Sequence, residues 1–157
     1  MNNLDAFLTM ISHSEGTDRA ADPYRVCFGY RHTIVDLSDH PAITGEWHGE
    51  PLASLGPDYA GKISTAAGRY QLIRSTWLDA KQALRLPDFT GPSQDAAAIW
   101  LINGRGAIDM VNGGRVADAI DRCRTIWASL PGSSSGQPQA KLADLIQSYT
   151  AAGGGFA

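Results

Sequence analysis

Leu4, Leu8 and Ile11 repeat at spacings of four and three residues, and Glu15 follows four residues later. On a helix these four positions share one face, so a carboxylate continues a stripe that should be buried. Asn2 or Asn3 is a suitable cap, and Gly16 stands where such a helix would stop. The pattern predicts a first helix running to about Glu15. Thr17 to Pro23 is polar and reads as a loop. Val26 to Tyr30 and Thr33 to Val35 read as two short strands around Arg31-His32, a small hairpin. Ser38 to Asp58 has little period and holds Pro41, Gly45, Gly49, Pro51, Gly56 and Pro57, the mark of a long functional loop.

Helical spacing returns further on. Thr76 and Asp79 form a possible capping box before a helix over Ala80 to Leu86. Ser93-Gln94-Asp95 is suited to cap the next, which carries Ala96, Ile99, Trp100 and Asn103 on one face. A short helix is expected at Ala107 to Val111. A long one over Arg115 to Ser129 has Val116, Ile120, Cys123 and Trp127 inward. Leu130 to Pro138 is rich in Gly, Ser and Pro and reads as a flexible loop. A last helix over about Ala140 to Ala151 turns Leu142, Leu145, Ile146 and Tyr149 to the core. No internal repeat occurs. The expectation is an α+β fold, mostly helical with one small β-hairpin near the N-terminus, and a single domain over residues 1–157.

Composition narrows the function. A length of 157 residues allows a sizeable core. The formal net charge of -3 offers no basic footprint for nucleic acid. The start of the chain has no basic, apolar leader, and no long apolar run predicts a membrane span, so synthesis in the cytoplasm is expected. Cys27 and Cys123 lack metal-ligand spacing and read as two free thiols rather than a pair. His13, His32, His40 and His48 lack metal spacing too, so no metal and no cofactor is expected.

Glu15 is therefore the leading candidate. The only other glutamates are Glu46 and Glu50, so a Glu on a core stripe stands out. Desolvation raises a carboxyl pKa, and an acid still protonated near neutral pH can give its proton to a leaving group. The alternative is a Glu in a frayed last turn facing water. Among the other candidates, Gly68-Arg69-Tyr70-Gln71 combines a permissive backbone with a guanidinium, a hydroxyl and an amide. Gln71 suits either a ligand or the cap of the next helix. Tyr70 suits either a ligand or the core, and Arg69 either a substrate carboxylate or a structural ion pair. Tyr30 and Trp47 are the aromatic candidates for a sugar face. The alternative for Trp47 is packing against its own loop stem.

Several stretches, in this order, resemble the endolysins of lambdoid phages: Ser14-Glu15-Gly16-Thr17-Asp18, Ser38-Asp39-His40-Pro41, Gly68-Arg69-Tyr70-Gln71, Ser93-Gln94-Asp95-Ala96 and Ala119-Ile120-Asp121-Arg122-Cys123. The last continues through Ile126-Trp127-Ala128-Ser129-Leu130-Pro131-Gly132. Gly29 to Leu37 is shorter than that family's equivalent, and Ala66-Ala67 replaces its usual Gly-Ala. The resemblance implies a lysozyme-like fold, lytic transglycosylase activity and Glu15 as the catalytic acid. It implies that the loops around Gly45–Asp58 and Pro131–Pro138 are lips over a groove for peptidoglycan glycan strands. In such enzymes a Gly-x-x-Gln segment lines the groove beside the acid, a form that Gly68 to Gln71 matches. With no leader, a holin would be needed to release the protein to the wall, without stable membrane insertion; a monomer is the default.

Two alternatives remain. A hydrolytic muramidase would cut the same bond and normally needs a second carboxylate. The T4-like phage lysozymes carry Glu-x8-Asp-x5-Thr, but here Tyr24 and Tyr30 occupy the two follow-on positions. Asp18, Asp22, Asp36 and Asp39 are the remaining candidates. Asp18 and Asp22 read better as turn formers, and Asp39 as a residue that fixes its loop. A non-catalytic wall-binding module would favour repeats and many aromatics, but aromatic residues are only 8% here.

Overall fold

The structure, a computed structural model, describes residues 2–157. Seven α-helices, four short 3-10 turns and one two-stranded antiparallel sheet make an α+β, mostly helical fold among these residues. The chain divides into two compact units, one built from the residues up to Arg19 together with Ala98–Ala157, the other from Ala20–Ala97.

The first unit is organised by α1, Asn3–Ser14. The Asn2 side chain accepts the Asp5 amide at 2.8 Å, satisfying one of the helix's open donors. Leu8 and Ile11 of the predicted stripe are buried, Leu4 and Glu15 are half-buried, and Phe7 and Met10, outside the stripe, are buried as well. Glu15 is the C-cap and Gly16 has φ +74°, so the helix ends in a left-handed glycine. Helix α1 packs on α7, Leu142–Ala151, and on α5, Ile108–Asn112. Leu145 and Tyr149 of α7 are buried, but Leu142 is exposed at the helix start.

Helix α6 covers only Val116–Cys123, not the run to Ser129 that the sequence predicts. Thr125 and Ile126 are both β-branched and resist helix just beyond this point. The chain continues in turns, with the Trp127 amide on the Cys123 carbonyl and the Leu130 amide on the Trp127 carbonyl. Trp127 and Leu130 are both buried, so this turn segment is anchored on either side of Ser129.

In the second unit the expected hairpin at residues 26–35 shrinks to one bridge, Val26 with Thr33. Side chains take the backbone groups that a longer ladder would use. Arg25 donates to the carbonyls of Ile34 and Val35, and Glu46 accepts the amides of Val35 and Asp36. The regular strands are β1, Glu50–Pro51, and β2, Ile63–Ser64, within and just after the segment read as loop. That segment also holds a short helix α2, Pro41–Thr44.

Two helix starts differ from the sequence reading. Helix α3 spans Arg74–Leu84, so Thr76 lies inside it and makes no capping box; Thr65 accepts the Arg74 amide instead. Helix α4 spans Gly91–Gly104, which puts Ser93, Gln94 and Asp95 in its first turns. The Asp88 carboxylate takes the amide and hydroxyl of Thr90 and the hydroxyl of Ser93. The buried face of α4 carries Gln94, Ala97, Ala98 and Ile102, not Ile99, Trp100 and Asn103. Trp77 of α3 and His40 meet Phe89 edge-on, with ring centroids 4.7 and 5.0 Å away, at the centre of this unit.

Candidate active site

Glu15 leaves the end of α1 where the next turn is closed by buried hydroxyls. Ser12 Oγ and Thr17 Oγ1 are 2.8 Å apart, and Thr17 Oγ1 also lies 3.2 Å from the Ser12 carbonyl. This staple holds the chain across Gly16. The Glu15 side chain is largely screened from water, and burial raises its pKa from 4.5 to about 7; one opposing influence is a hydrogen bond from Ser129. The Ser129 hydroxyl donates to Glu15 Oε1 at 2.7 Å, and Ser14 Oγ lies 2.7 Å from Ser129 Oγ. Around neutral pH such a carboxyl exists in both charge states, which suits a group that must give a proton and then take one.

His13, two residues before Glu15, pairs with Asp18 at 2.6 Å. This engages Asp18 away from any role as a free second carboxylate. Asp22 accepts the Tyr24 amide at 3.0 Å and the Arg25 side chain at 3.1 Å. Asp36 accepts the Ser38 amide. Asp39 accepts the His40 amide, the Trp77 indole N–H and the Lys81 ammonium. Burial works to raise its pKa, but these bonds outweigh it and hold Asp39 below the ordinary carboxylate range. All four aspartates thus have structural partners, as the sequence suggests for Asp18, Asp22 and Asp39.

The second cluster belongs to the other unit. Ala67 and Leu72 exchange both backbone hydrogen bonds, at 3.1 and 2.9 Å, so Gly68-Arg69-Tyr70-Gln71 forms the closed tip of a tight hairpin. Gly68 and Gln71 both take left-handed conformations, with φ +79° and +50°. Gln94 clamps this tip from α4: its oxygen accepts the Arg69 amide at 2.9 Å, and its nitrogen donates to the carbonyls of Tyr24 and Phe89. Asp95 accepts the hydroxyls of Tyr70 at 2.5 Å and Tyr24 at 3.0 Å. Burial, first, and the bond to Asp95 push the Tyr70 hydroxyl well above its usual pKa.

The candidates drawn from sequence thus separate. Arg69 donates to the Tyr24 hydroxyl at 2.9 Å and lies 3.9 Å from Asp95, so the ion-pair alternative describes its contacts. Tyr70 is fully buried, as in the core alternative. Gln71 caps no helix; its amide donates to the carbonyls of Gly68 and Val26. Tyr30 is 60% exposed on a left-handed turn with φ +59°. Trp47 is only 7% exposed, so it presents little surface to a sugar; its ring is buried rather than displayed. Cys27 and Cys123 are free buried thiols, each pushed by burial to about 12. No group of three metal-ligating side chains occurs among the described residues.

The sequence reading does not single out Ser129. It lies 114 positions from Glu15, and no spacing rule links the two. Gln94 and Asp95, read from sequence as a helix cap and as part of an endolysin-like stretch, order the Gly68–Gln71 tip.

Comparison with known proteins agrees with this architecture. The family model described as Endolysin matches residues 5–156. The endolysin of Escherichia phage P2 is 42% identical, covering 97% of this chain and 93% of that protein. The endolysin of Escherichia phage lambda is 41% identical, covering 98% and 92%. A solved structure of bacteriophage lambda lysozyme complexed with a chitohexasaccharide superposes with a TM-score of 0.84, at 40% identity, over 100% of this chain and 98% of that one. A second structure of the lysozyme from bacteriophage lambda gives 0.82 at 39% identity, with the same coverage. The chain belongs to the endolysin family.

Proposed function

We propose that the protein is a peptidoglycan-cleaving glycosidase that breaks the β-1,4 bond between N-acetylmuramic acid and N-acetylglucosamine by lytic transglycosylation, with residues 1–157 acting as one catalytic domain. Glu15 is the acid. Its proton passes to the glycosidic oxygen as the bond from that oxygen to the muramic C1 breaks. The carboxylate then takes the proton of the muramic C6 hydroxyl, whose oxygen bonds to C1. The product is a 1,6-anhydro ring, and no water is consumed.

The observation that carries this reading is the Glu15 carboxyl at the end of α1, largely screened from water and hydrogen-bonded by Ser129, a setting that raises its pKa. The aspartates engaged in structural bonds support it, because transglycosylation needs no second carboxylate. The substrate class is a chain of β-1,4-linked N-acetyl sugars; lambda lysozyme, a relative at 40% identity, has been solved with a chitohexasaccharide. Tyr30 and Gln71 are the residues proposed to meet the glycan. Arg69 and Tyr70 support it through the order of their hairpin tip.

No described helix is long and apolar enough to cross a membrane. Release to the wall through a holin, and action as a monomer, belong to the same proposal. Glu15→Gln tests it. Clearing of permeabilised Gram-negative cells should fall about a thousandfold, within the range that general acid catalysis supplies. Retained clearing would remove Glu15 from the chemistry.

A further inference from the structure

The hydroxyl chain behind Glu15 has a direction. Ser129 donates its one proton to Glu15 Oε1. Its oxygen then accepts from Ser14, 2.7 Å away at the end of α1. An oxygen that accepts a hydrogen bond in this way is the carbonyl-like oxygen of a neutral carboxyl. We propose that Ser129, oriented by Ser14, is a positioning residue that fixes the acidic proton of Glu15 on Oε2. This rests on the reading of Glu15 as the acid. It adds which carboxyl oxygen delivers the proton and what selects it.

The arrangement suits both halves of the reaction. While the acid is neutral, Ser129 holds the carboxyl in one orientation with its proton on one atom. After the proton leaves, the same hydroxyl stabilises the carboxylate by a charge-assisted bond. The segment that carries Ser129 is itself held by buried Trp127 and Leu130 on either side. The charged and titratable groups on the elements around α1 are His13 and Asp18, which pair with each other, Asp5, Arg19, Asp109 of α5, and Asp144 and Tyr149 of α7. Burial raises the Glu15 pKa and the Ser129 bond works against it.

The test exploits the presence of only three glutamates, Glu15, Glu46 and Glu50. With carbon-13 in the glutamate carboxyls, Glu15 can be titrated by NMR in the wild type, Ser129→Ala, Ser129→Thr and Ser14→Ala. In parallel, kcat and KM are measured on peptidoglycan across pH. Ser129→Ala should raise the Glu15 pKa by about one unit, the size of a lost bond to a charged group. The alkaline limb of kcat should move up with it. At pH 5, where the acid is protonated in every variant, kcat should still fall about tenfold with KM nearly unchanged, because the proton is no longer held on one oxygen. Ser129→Thr should restore both values, and Ser14→Ala should shift them by a smaller amount in the same direction.

An unmoved Glu15 titration in Ser129→Ala, with the Glu46 and Glu50 signals native, would overturn the proposal. If Ser129→Ala does not fold, an unmoved titration in Ser14→Ala overturns it instead. The NMR result does not depend on turnover. An active Glu15→Gln would therefore sink the catalytic reading separately from the Ser129 assignment.

Discussion

At the scale of single residues, the burial of Glu15 has a thermodynamic consequence. Its folded-state pKa, about 7, lies above the ordinary 4.5. Between those values the folded protein holds a proton that the unfolded chain has lost, so stability falls as pH rises through this window and is level above it. The loss is on the order of 3 kcal/mol. Glu15→Gln removes this cost. Thermal unfolding should show the variant several degrees more stable than wild type at pH 8 and indistinguishable at pH 4. Equal midpoints at both values would mean that Glu15 is not desolvated. This much was legible in the sequence, because a carboxylate on the Leu4, Leu8, Ile11 stripe must meet that stripe's surroundings. Ser129 was not, because its contact depends on the turns after Cys123, which no periodicity encodes.

At the scale of elements, the Gly68–Gln71 tip shows how the candidate residues of the second unit are held. Gly68 sits at φ +79°, and a Cβ there would run into the Gln94 amide and the Phe89 ring. Gly68→Ala should cost about 3 kcal/mol or more, combining left-handed strain with overpacking. Urea unfolding would measure it; a loss below about 1 kcal/mol would mean the tip adjusts freely. Gln94→Ala should cost about as much by leaving the Arg69 amide and the carbonyls of Tyr24 and Phe89 without their side-chain partner. The same region limits what pattern reading reaches. Val26 to Val35 has the residues of a hairpin, yet Arg25 and Glu46 take backbone groups of Ile34 to Asp36, Val26 and Phe28 bond to the backbone of Gly68 and Ala66, and the closed hairpin forms at Ala67–Leu72. Helix existence follows from period. Helix starts at Arg74 and Gly91 depend on partners outside the helix, Thr65 and Asp88, and so escape local reading.

At the scale of the whole molecule, the α+β, mostly helical character and the endolysin resemblance were both readable, because the resemblance rests on several stretches in order rather than on one motif. Trp47, read as a candidate for the sugar, is buried instead, since an aromatic in a Gly- and Pro-rich loop can supply that loop's own core. The net charge of -3 offers no long-range attraction to an anionic wall. Accordingly kcat/KM on purified peptidoglycan should change less than about threefold between about 20 and 200 mM salt. A steep fall would point to a local basic contact. The most direct test of the central claim is mass spectrometry of the glycan fragments released from purified peptidoglycan. Fragments one water lighter than hydrolysis products, and absent with Glu15→Gln, are the predicted result. Reducing-end fragments from the wild-type protein would contradict it and make the enzyme a hydrolase.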